Sequence, residues 1–284
     1  MNKCPHRLGL ALLAVCGMLA LTSAVVLAQA KSPSRVLLYT SVPQELATQF
    51  ADAFMKKRPD IKVEIYRAGS TEVGAKIAAE REVGGIRADL LWLADAPIYY
   101  DLRKRGELLA HISSESKAIP ADLKDPKGFF TAGRLINMII AVNTEVTPLK
   151  DAPKSWKEFP EHGKKAVMGN PLYSGSNFVT VAAFVQKGGW GWFERSRAAG
   201  VAIVRGNSEA ATALAGKEFG VAMTLDYIIA GLIRKGAPLA IVWPSEGAIS
   251  VPSPIEIIKG TKNPNGAKAF VDYCTLNDAD KQLF

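Results

Sequence analysis

Short apolar segments alternate with segments of helical periodicity from residue 36 onward. Residues 36–40 predict a β-strand, and residues 43–58 predict a helix with its apolar side chains on one face. The same order continues, with strands predicted at 62–68 and 88–94 and helices at 71–83 and 97–105. Continuous apolar runs such as Leu90-Leu91-Trp92-Leu93-Ala94 are typical of parallel strands covered on both faces. The pattern therefore predicts an open α/β sheet.

A second α/β unit follows a less regular stretch at residues 111–129. Residues 138–142 predict its first strand, and the apolar residues 178–186 predict a helix. The remaining predicted elements are strands at 167–169, 201–205, 220–225 and 239–243, an extended Pro-containing segment at 249–258, and helices at 264–273 and 278–284. The chain ends on Gln282-Leu283-Phe284 without a polar tail, which is typical of a fragment that lacks a last segment.

The first 30 residues have the layout of a secretory signal peptide. Lys3 and Arg7 precede an uncharged apolar run at 8–27, and the small-x-small tripeptide Ala28-Gln29-Ala30 favours cleavage. A retained membrane anchor is a competing interpretation, because about 20 apolar residues can span a bilayer. A lipoprotein modified at Cys16 is another, although the bulky Val15 disfavours it. We expect export to the periplasm with removal of residues 1–30.

The formal net charge of +8 arises from 35 Lys and Arg against 27 Asp and Glu. The cations form short groups such as Lys56-Lys57-Arg58, without the interleaved aromatic residues or long basic arm of a nucleic-acid-binding protein. Nucleic acid is therefore not an expected partner. A mildly basic surface fits a small anionic ligand or an anionic membrane face.

Four loops rich in small polar residues follow predicted strands. In an open α/β sheet, ligands bind outside the carboxyl ends of strands, so these loops are the first candidates for a site. Glycine lets the backbone approach a ligand closely, and a helix N-terminus offers free N–H groups and the positive end of the helix dipole. Together the loops predict an anion site with these residues: Ser41, Ser70, Thr71, Asp95, Ser174, Gly175, Ser176 and Asn177.

Helix capping is the competing interpretation of each loop, because Ser, Thr and Asn before a helix need no ligand. Two features of residues 174–177 favour a binding role. The segment offers more donors than one cap uses, and the following residues 178–184 are too apolar for a surface helix. We expect this helix to begin at an interior cleft.

Catalytic signatures are scarce in the chain. After removal of the leader only His111 and His162 remain as histidines, and the chain has no paired metal-ligand motif, nucleophile elbow, P-loop or dinucleotide-binding fingerprint. Ser114-Glu115-Ser116-Lys117 matches a hydrolase tetrapeptide, but its companion motifs are absent. We expect a binding protein without a cofactor; an enzyme and a signalling or structural module are the alternatives.

Several short segments, in their order and spacing, resemble periplasmic solute-binding proteins of ABC importers, in the branch that binds ferric iron, phosphonates and sugar phosphates. The segments are Val36-Leu37-Leu38-Tyr39-Thr40-Ser41, Gly69-Ser70-Thr71-Glu72, Arg87-Ala88-Asp89-Leu90-Leu91-Trp92, Asn170-Pro171 with residues 172–177, Gly206-Asn207-Ser208, and Ile258-Lys259-Gly260-Thr261-Lys262-Asn263-Pro264. The resemblance covers most of the chain after residue 30.

The resemblance implies a type II periplasmic-binding fold with two lobes, each an open and mostly parallel sheet flanked by helices. Lobe 1 is expected to comprise residues 31–140 plus 249–284, and lobe 2 residues 144–245. Two crossing segments near 140–144 and 243–250 would act as hinges that close the lobes over the ligand. The implied partners are a small anionic ligand and an inner-membrane permease, and the protein is expected to act as a monomer.

The ligand class follows less directly from the residues. Iron-binding relatives use adjacent tyrosines where this chain has Asp226-Tyr227, so only one tyrosine is retained at that place. A phosphonate or phosphate ester fits the hydroxyl and amide donors better, with Asp226 and Glu246 available for an ammonium or sugar hydroxyls. An aminoalkylphosphonate would use both sets of groups and is the preferred ligand. Ferric iron is the alternative.

Overall fold

The computed structural model describes residues 33–94 and 96–275. The predicted signal peptide, Asp95 and the predicted helix at 278–284 lie outside these residues. The strands are β1 (Ser34–Thr40), β2 (Ile61–Arg67), β3 (Leu90–Trp92), β4 (Leu108–Leu109), β5 (Thr131–Asn143), β6 (Ala166–Gly169), β7 (Ala202–Val204), β8 (Val221–Leu225), β9 (Leu239–Val242) and β10 (Ile249–Ile258).

Eight α-helices are found in the described part of the chain. They are α1 (Gln44–Lys57), α2 (Ser70–Glu82), α3 (Ala96–Lys104), α4 (Gly175–Gly188), α5 (Gly191–Ala199), α6 (Asn207–Ala215), α7 (Asp226–Arg234) and α8 (Pro264–Thr275). Helix α1 ends just before Arg58-Pro59, because a residue that precedes proline disfavours the helical conformation. Within residues 33–94 and 96–275, no helix is long and apolar enough to cross a membrane.

The strands form one mixed sheet, with the order β2-β1-β3-β10-β5-β8-β6-β7; β4 pairs with β10, and β9 pairs with β5. The short strands at each end of the sheet run parallel, as the apolar runs predict. The two long strands, β5 and β10, pair antiparallel with each other and with their other neighbours. The predicted α/β class is confirmed, with helices on both faces of the sheet.

Hydrophobic side chains pack against both faces at each end of the sheet. Near β1 and β3, a cluster with α1 and α8 covers one face, and a cluster with α2 and α3 covers the other. Near β5, β6 and β8, helices α4 and α5 cover one face, and α6 and α7 cover the other. Strand β3 shows why both clusters form, since Trp92 points into the first and Leu91 into the second.

Strand β5 begins seven residues before the predicted start at Met138. Residues 131–137 include Gly133, Arg134 and Asn137, and their mixed polarity gives a weak strand signal. Pairing with β10, from Thr131 opposite Ile255 to Met138 opposite Ile249, fixes them as a strand. From Met138 onward β5 also pairs with β8. The strand therefore connects the two ends of the sheet.

Candidate functional site

A cavity of about 160 Å³ lies where the carboxyl ends of β1, β2, β3, β6, β7 and β8 meet. This is the edge of an α/β sheet at which ligands bind. The residues that line it are Ser41, Pro43, Arg67, Gly69, Ser70, Ala94, Arg134, Ile136, Tyr173, Ser174, Gly175, Ser176, Arg205, Gly206, Asn207, Ser208, Glu209, Leu225, Tyr227 and Ile228.

The N-termini of several helices converge on this cavity. Helix α2 begins at Ser70, α4 at Gly175 and α6 at Asn207, and all three residues line the cavity. The free N–H groups and helix dipoles at these ends favour a bound anion. Ser70 is fully buried, and its hydroxyl oxygen has no hydrogen-bond partner among the described residues. A buried hydroxyl without a partner in the wall of a cavity is available to a ligand.

Glycine allows the starts of α2 and α4 to approach each other closely. A Cβ atom at Gly175 would lie 2.5 Å from the carbonyl oxygen of Ala94 and 2.6 Å from the hydroxyl oxygen of Ser70. A Cβ atom at Gly69 would lie 2.4 Å from the carbonyl oxygen of Tyr173. Both positions therefore require glycine for this packing.

Two serines and two asparagines form a buried hydrogen-bond network in the wall of the cavity. The side-chain amides of Asn177 and Asn207 donate to the hydroxyl oxygen of Ser174 over 3.0 and 3.1 Å. Asn207 also donates to the hydroxyl oxygen of Ser176 over 2.8 Å and accepts from Asn177 over 2.8 Å. The network fixes Ser174 and Ser176 at the beginning of α4. Ser174 also caps this helix, as the competing interpretation predicts.

Three arginines contribute positive charge to the cavity. The guanidinium of Arg67 donates to the hydroxyl of Tyr173 over 3.0 Å and to the carbonyl of Val42 over 3.3 Å. Arg205 lies over the ring of Tyr173, 4.3 Å from its centroid, and forms an ion pair with Glu72 at 2.9 Å. Both arginines thus pack against the same tyrosine.

Arg134 differs from the other two arginines because no hydrogen-bond or ion-pair partner is found for its guanidinium among the described residues. Its guanidinium lies 5.0 Å from the ring centroid of Tyr227 and 5.8 Å from that of Trp92. Its Nε and Nη1 atoms are buried without a hydrogen-bond partner among the described residues. Buried donors on a charged group are costly unless they are satisfied. Their position in the cavity wall favours an anionic ligand.

The structure brings six of the predicted site residues to this cavity: Ser41, Ser70, Ser174, Gly175, Ser176 and Tyr227. Asn177 is fully buried behind the serines, and Thr71 is exposed in the first turn of α2. The carboxylate of Asp226 accepts from the backbone and side chain of Asn137, so it is held within the fold. Asp95 lies outside the described residues.

Glu246 lies in a different place, beside a second cavity that is also lined by Trp156, Lys157 and Trp192. Its carboxylate accepts from the backbone N–H groups of Trp156 and Lys157. Burial alone would raise the pKa of Glu246, but these backbone donors hold it below its usual value. The side chain therefore ties the segment after β9 to residues 156–157.

Sequence reasoning did not assign the three arginines, Tyr173 or Asn207 to the site, although Tyr173 begins the candidate loop at 173–177 and Asn207 lies in a segment that carries the family resemblance. Arg67 is the last residue of β2, and Arg205 directly follows β7, so the rule that selects residues after strand ends also applies to them. Arg134 lies inside β5 and carries no such signal. The described residues contain no group of three or more His, Cys, Asp and Glu side chains that could hold a metal ion.

An α/β sheet with a donor-lined cavity at its strand ends defines a protein built to bind a small solute. The family description "Bacterial extracellular solute-binding protein" matches residues 40–281 of the chain. The chain therefore belongs to this family. An uncharacterized protein of Haemophilus influenzae is 25% identical over 274 residues, which cover 89% of this chain and 76% of the relative.

Solved structures show the same fold. The periplasmic binding protein AfuA from Actinobacillus pleuropneumoniae, with exogenous fructose-6-phosphate bound, is 26% identical with a TM-score of 0.77, and the match covers 86% of this chain and 80% of AfuA. Iron-bound HitA from Pseudomonas aeruginosa is 22% identical with a TM-score of 0.73, and the match covers 85% of this chain and 80% of HitA. Such structural neighbours are two-lobed type II periplasmic binding proteins.

Proposed function

We propose that this protein is the periplasmic solute-binding component of an ABC importer and captures a phosphate ester or phosphonate. The family membership and the likeness to AfuA support the transport role. The guanidinium of Arg134, which has no partner among the described residues, lies in the cavity wall and carries the assignment of an anionic ligand. The role is binding and delivery to a permease, without chemical conversion of the ligand.

The charge of the cavity supports a phospho-group over a neutral solute. Three arginines line the cavity, whereas Glu209 is the one carboxylate among the described lining residues. Guanidinium groups bind phosphate oxygens with charge-assisted hydrogen bonds, and helix N-termini add to the attraction. Since Asp226 and Glu246 are held by other groups, Glu209 is the carboxylate best placed to bind hydroxyl or ammonium groups on the remainder of the ligand.

The proposal includes two lobes that close over the ligand, with residues 31–140 plus 249–284 in one and 144–245 in the other. The change of partner along β5, from β10 to β8, supports this division. The leader at residues 1–30 would direct export, and the protein would act as a monomer.

Ferric iron is the second candidate ligand. Two tyrosines, Tyr173 and Tyr227, line the cavity, and phenolate oxygen is a hard ligand suited to a ferric ion. The hydroxyl of Tyr173 accepts from Arg67, however, which places a cation beside this oxygen.

Thermal melting with inorganic phosphate, 2-aminoethylphosphonate, sugar phosphates and ferric citrate tests the proposal. A ligand at about 100 times its Kd adds about 2.7 kcal/mol of stability, which a melt resolves. We expect a phosphate ester or phosphonate to raise the Tm of the wild type, and Arg134→Gln to abolish the rise. Arg197→Gln is the matched control, because it removes the same charge from an exposed position on α5. A rise with ferric citrate alone would refute the phospho-ligand.

A further inference from the structure

The hydrogen-bond network at the start of α4 has a direction that bears on the ligand's protonation state. A serine hydroxyl can donate one hydrogen bond and accept two. Ser174 accepts from the side-chain amides of Asn177 and Asn207 and, over 3.5 Å, from the backbone N–H of Asn177, so its acceptor sites are used. Its own proton is then directed at Ser176, whose hydroxyl oxygen lies 3.2 Å away.

The same reasoning fixes the direction in which the Ser176 hydroxyl donates. Its hydroxyl oxygen accepts from Asn207 over 2.8 Å and from Ser174, so its acceptor sites are also used. The proton of Ser176 therefore remains to be donated, and Ser176 lines the cavity. The side-chain oxygen of Asn177 has no partner in the described part of the chain, but it is buried, and Asn177 does not line the cavity.

The charged and titratable groups around the cavity offer the ligand mainly donors. Arg67 on β2, Arg134 on β5 and Arg205 after β7 can only donate. Tyr173 already accepts from Arg67, which leaves its proton to donate. The remaining titratable groups in the lining are Tyr227 on α7 and Glu209 on α6. Two further carboxylates nearby are already bound: Glu72 on α2 pairs with Arg205, and Asp226 accepts from Asn137.

Glu209 is the one carboxylate of the described lining that could accept a proton from the ligand. It is exposed, and its carboxylate accepts from the backbone N–H of Arg205. This bond holds the carboxylate at the first turn of α6, whereas the hydroxyls of Ser174 and Ser176 are oriented by Asn207. A protonated phosphate oxygen at Ser176 would face a donor.

We infer that the cavity selects the dianion of a phosphate monoester or phosphonate and discriminates against its singly protonated form. This inference rests on the proposed function, since it concerns the same site. The P–OH group of the monoanion would meet the hydroxyl proton of Ser176 and the guanidinium donors, which offer no acceptor for its hydrogen, whereas the hydroxyls of Ser41, Ser70, Ser208 and Tyr227 can either donate or accept. Every oxygen of the dianion, in contrast, can accept from these groups.

Dianion selection has a quantitative consequence for binding. The second pKa of a phosphate monoester is about 6, so the dianion falls to about one eleventh of the ligand at pH 5. Apparent affinity scales with the fraction of the binding-competent form. Binding should therefore be about tenfold weaker at pH 5 than at pH 8. At pH 6, where about half of the ligand carries the proton, binding should release about half a proton per ligand.

Calorimetric titration of the purified protein with fructose 6-phosphate tests the inference. Titrations at pH 6 in two buffers of different ionisation enthalpy count the protons released. Release of about half a proton is the expected result, and release of none, or proton uptake, overturns the inference. The Glu209→Gln variant should release the same fraction of a proton on binding. If the variant releases none, the proton comes from the carboxyl of Glu209, and the inference is overturned as well.

A second variant tests the role of Ser176 at pH 8. Ser176→Ala should weaken binding at least about fivefold because it removes a donor to a charged oxygen. Ser196→Ala is the matched control, because Ser196 is a buried serine of α5 that does not line the cavity. Equal affinities of wild type and Ser176→Ala would overturn the donor role. Failure of every phospho-compound to bind at pH 8 would instead refute the proposed function, whereas binding without proton release would refute only dianion selection.

Discussion

Glu256 is a buried carboxyl group near the end of β10. It is 1% exposed, and neither of its carboxyl oxygens has a hydrogen-bond partner among the described residues. Burial raises its pKa well above the usual value, because the folded protein disfavours the charged form. It is not among the residues that line the cavity, and the proposed function does not use it.

This burial predicts a loss of stability with rising pH. The unfolded chain ionises Glu256 near its ordinary pKa of about 4.3, whereas the folded chain does not, so stability is present below that pH and lost as pH rises toward the folded-state pKa. Relative to the wild type, Glu256→Gln should gain up to about 1.4 kcal/mol per pH unit through this window. Urea unfolding at pH 4.5 and pH 8 measures the difference. An equal difference at both pH values would show that burial does not perturb this group.

At the scale of elements, the close approach of α2 and α4 positions the donors of the cavity. The first residue of α4, Gly175, packs against the carbonyl of Ala94, and backbone atoms cannot move aside cheaply. Gly188, at the other end of the same helix, has open space around its would-be Cβ atom. The two glycines of one helix therefore form a matched pair for substitution.

Gly175→Ala should weaken ligand binding because it forces the starts of α2 and α4 apart. Overpacking of this kind costs about 1–3 kcal/mol of folding stability. Because the ligand requires the starts of α2 and α4 at their original spacing, restoring that spacing would lower affinity by up to about 5- to 150-fold. Gly188→Ala should leave affinity unchanged and add about 0.4–1 kcal/mol of stability through reduced entropy of the unfolded chain. Calorimetric titration and urea unfolding measure both effects. Unchanged affinity in Gly175→Ala would contradict the described packing around the ligand.

At the scale of the whole molecule, contacts across the cavity link the two ends of the sheet. Arg205 pairs with Glu72, and Arg67 donates to Tyr173. If the ends are lobes that close over the ligand, these contacts belong to the closed form. Solution scattering should then show a smaller radius of gyration when fructose 6-phosphate is bound. An unchanged radius would contradict closure.

Glu72→Gln tests the same closure kinetically. The ion pair of Glu72 with Arg205 is exposed, so it contributes at most about 1 kcal/mol. Its loss should raise the rate of ligand dissociation up to about fivefold and leave the association rate unchanged, because the pair forms after the ligand enters. Stopped-flow measurements separate the two rates. A change confined to association would place the pair on the entry path instead.

The fold was more predictable than the site because hydrophobic periodicity is a local signal. It located β1, α1 and β10 closely, whereas the helices α5, α6 and α7 were not predicted. The serines of the cavity were predictable from their position after strands. Arg134 was not, because an arginine inside a strand resembles any solvent-facing strand residue until the pairing of β5 with β10 places it at the cavity.

The most direct test of the central claim is a calorimetric titration with matched pairs of compounds. Fructose 6-phosphate is compared with fructose, and 2-aminoethylphosphonate with ethylamine, so that each pair differs by the phospho-group alone. The proposed function predicts that at least one phospho-compound binds with one-to-one stoichiometry and that its parent does not. Equal binding of a parent compound, or binding of ferric citrate alone, would contradict it.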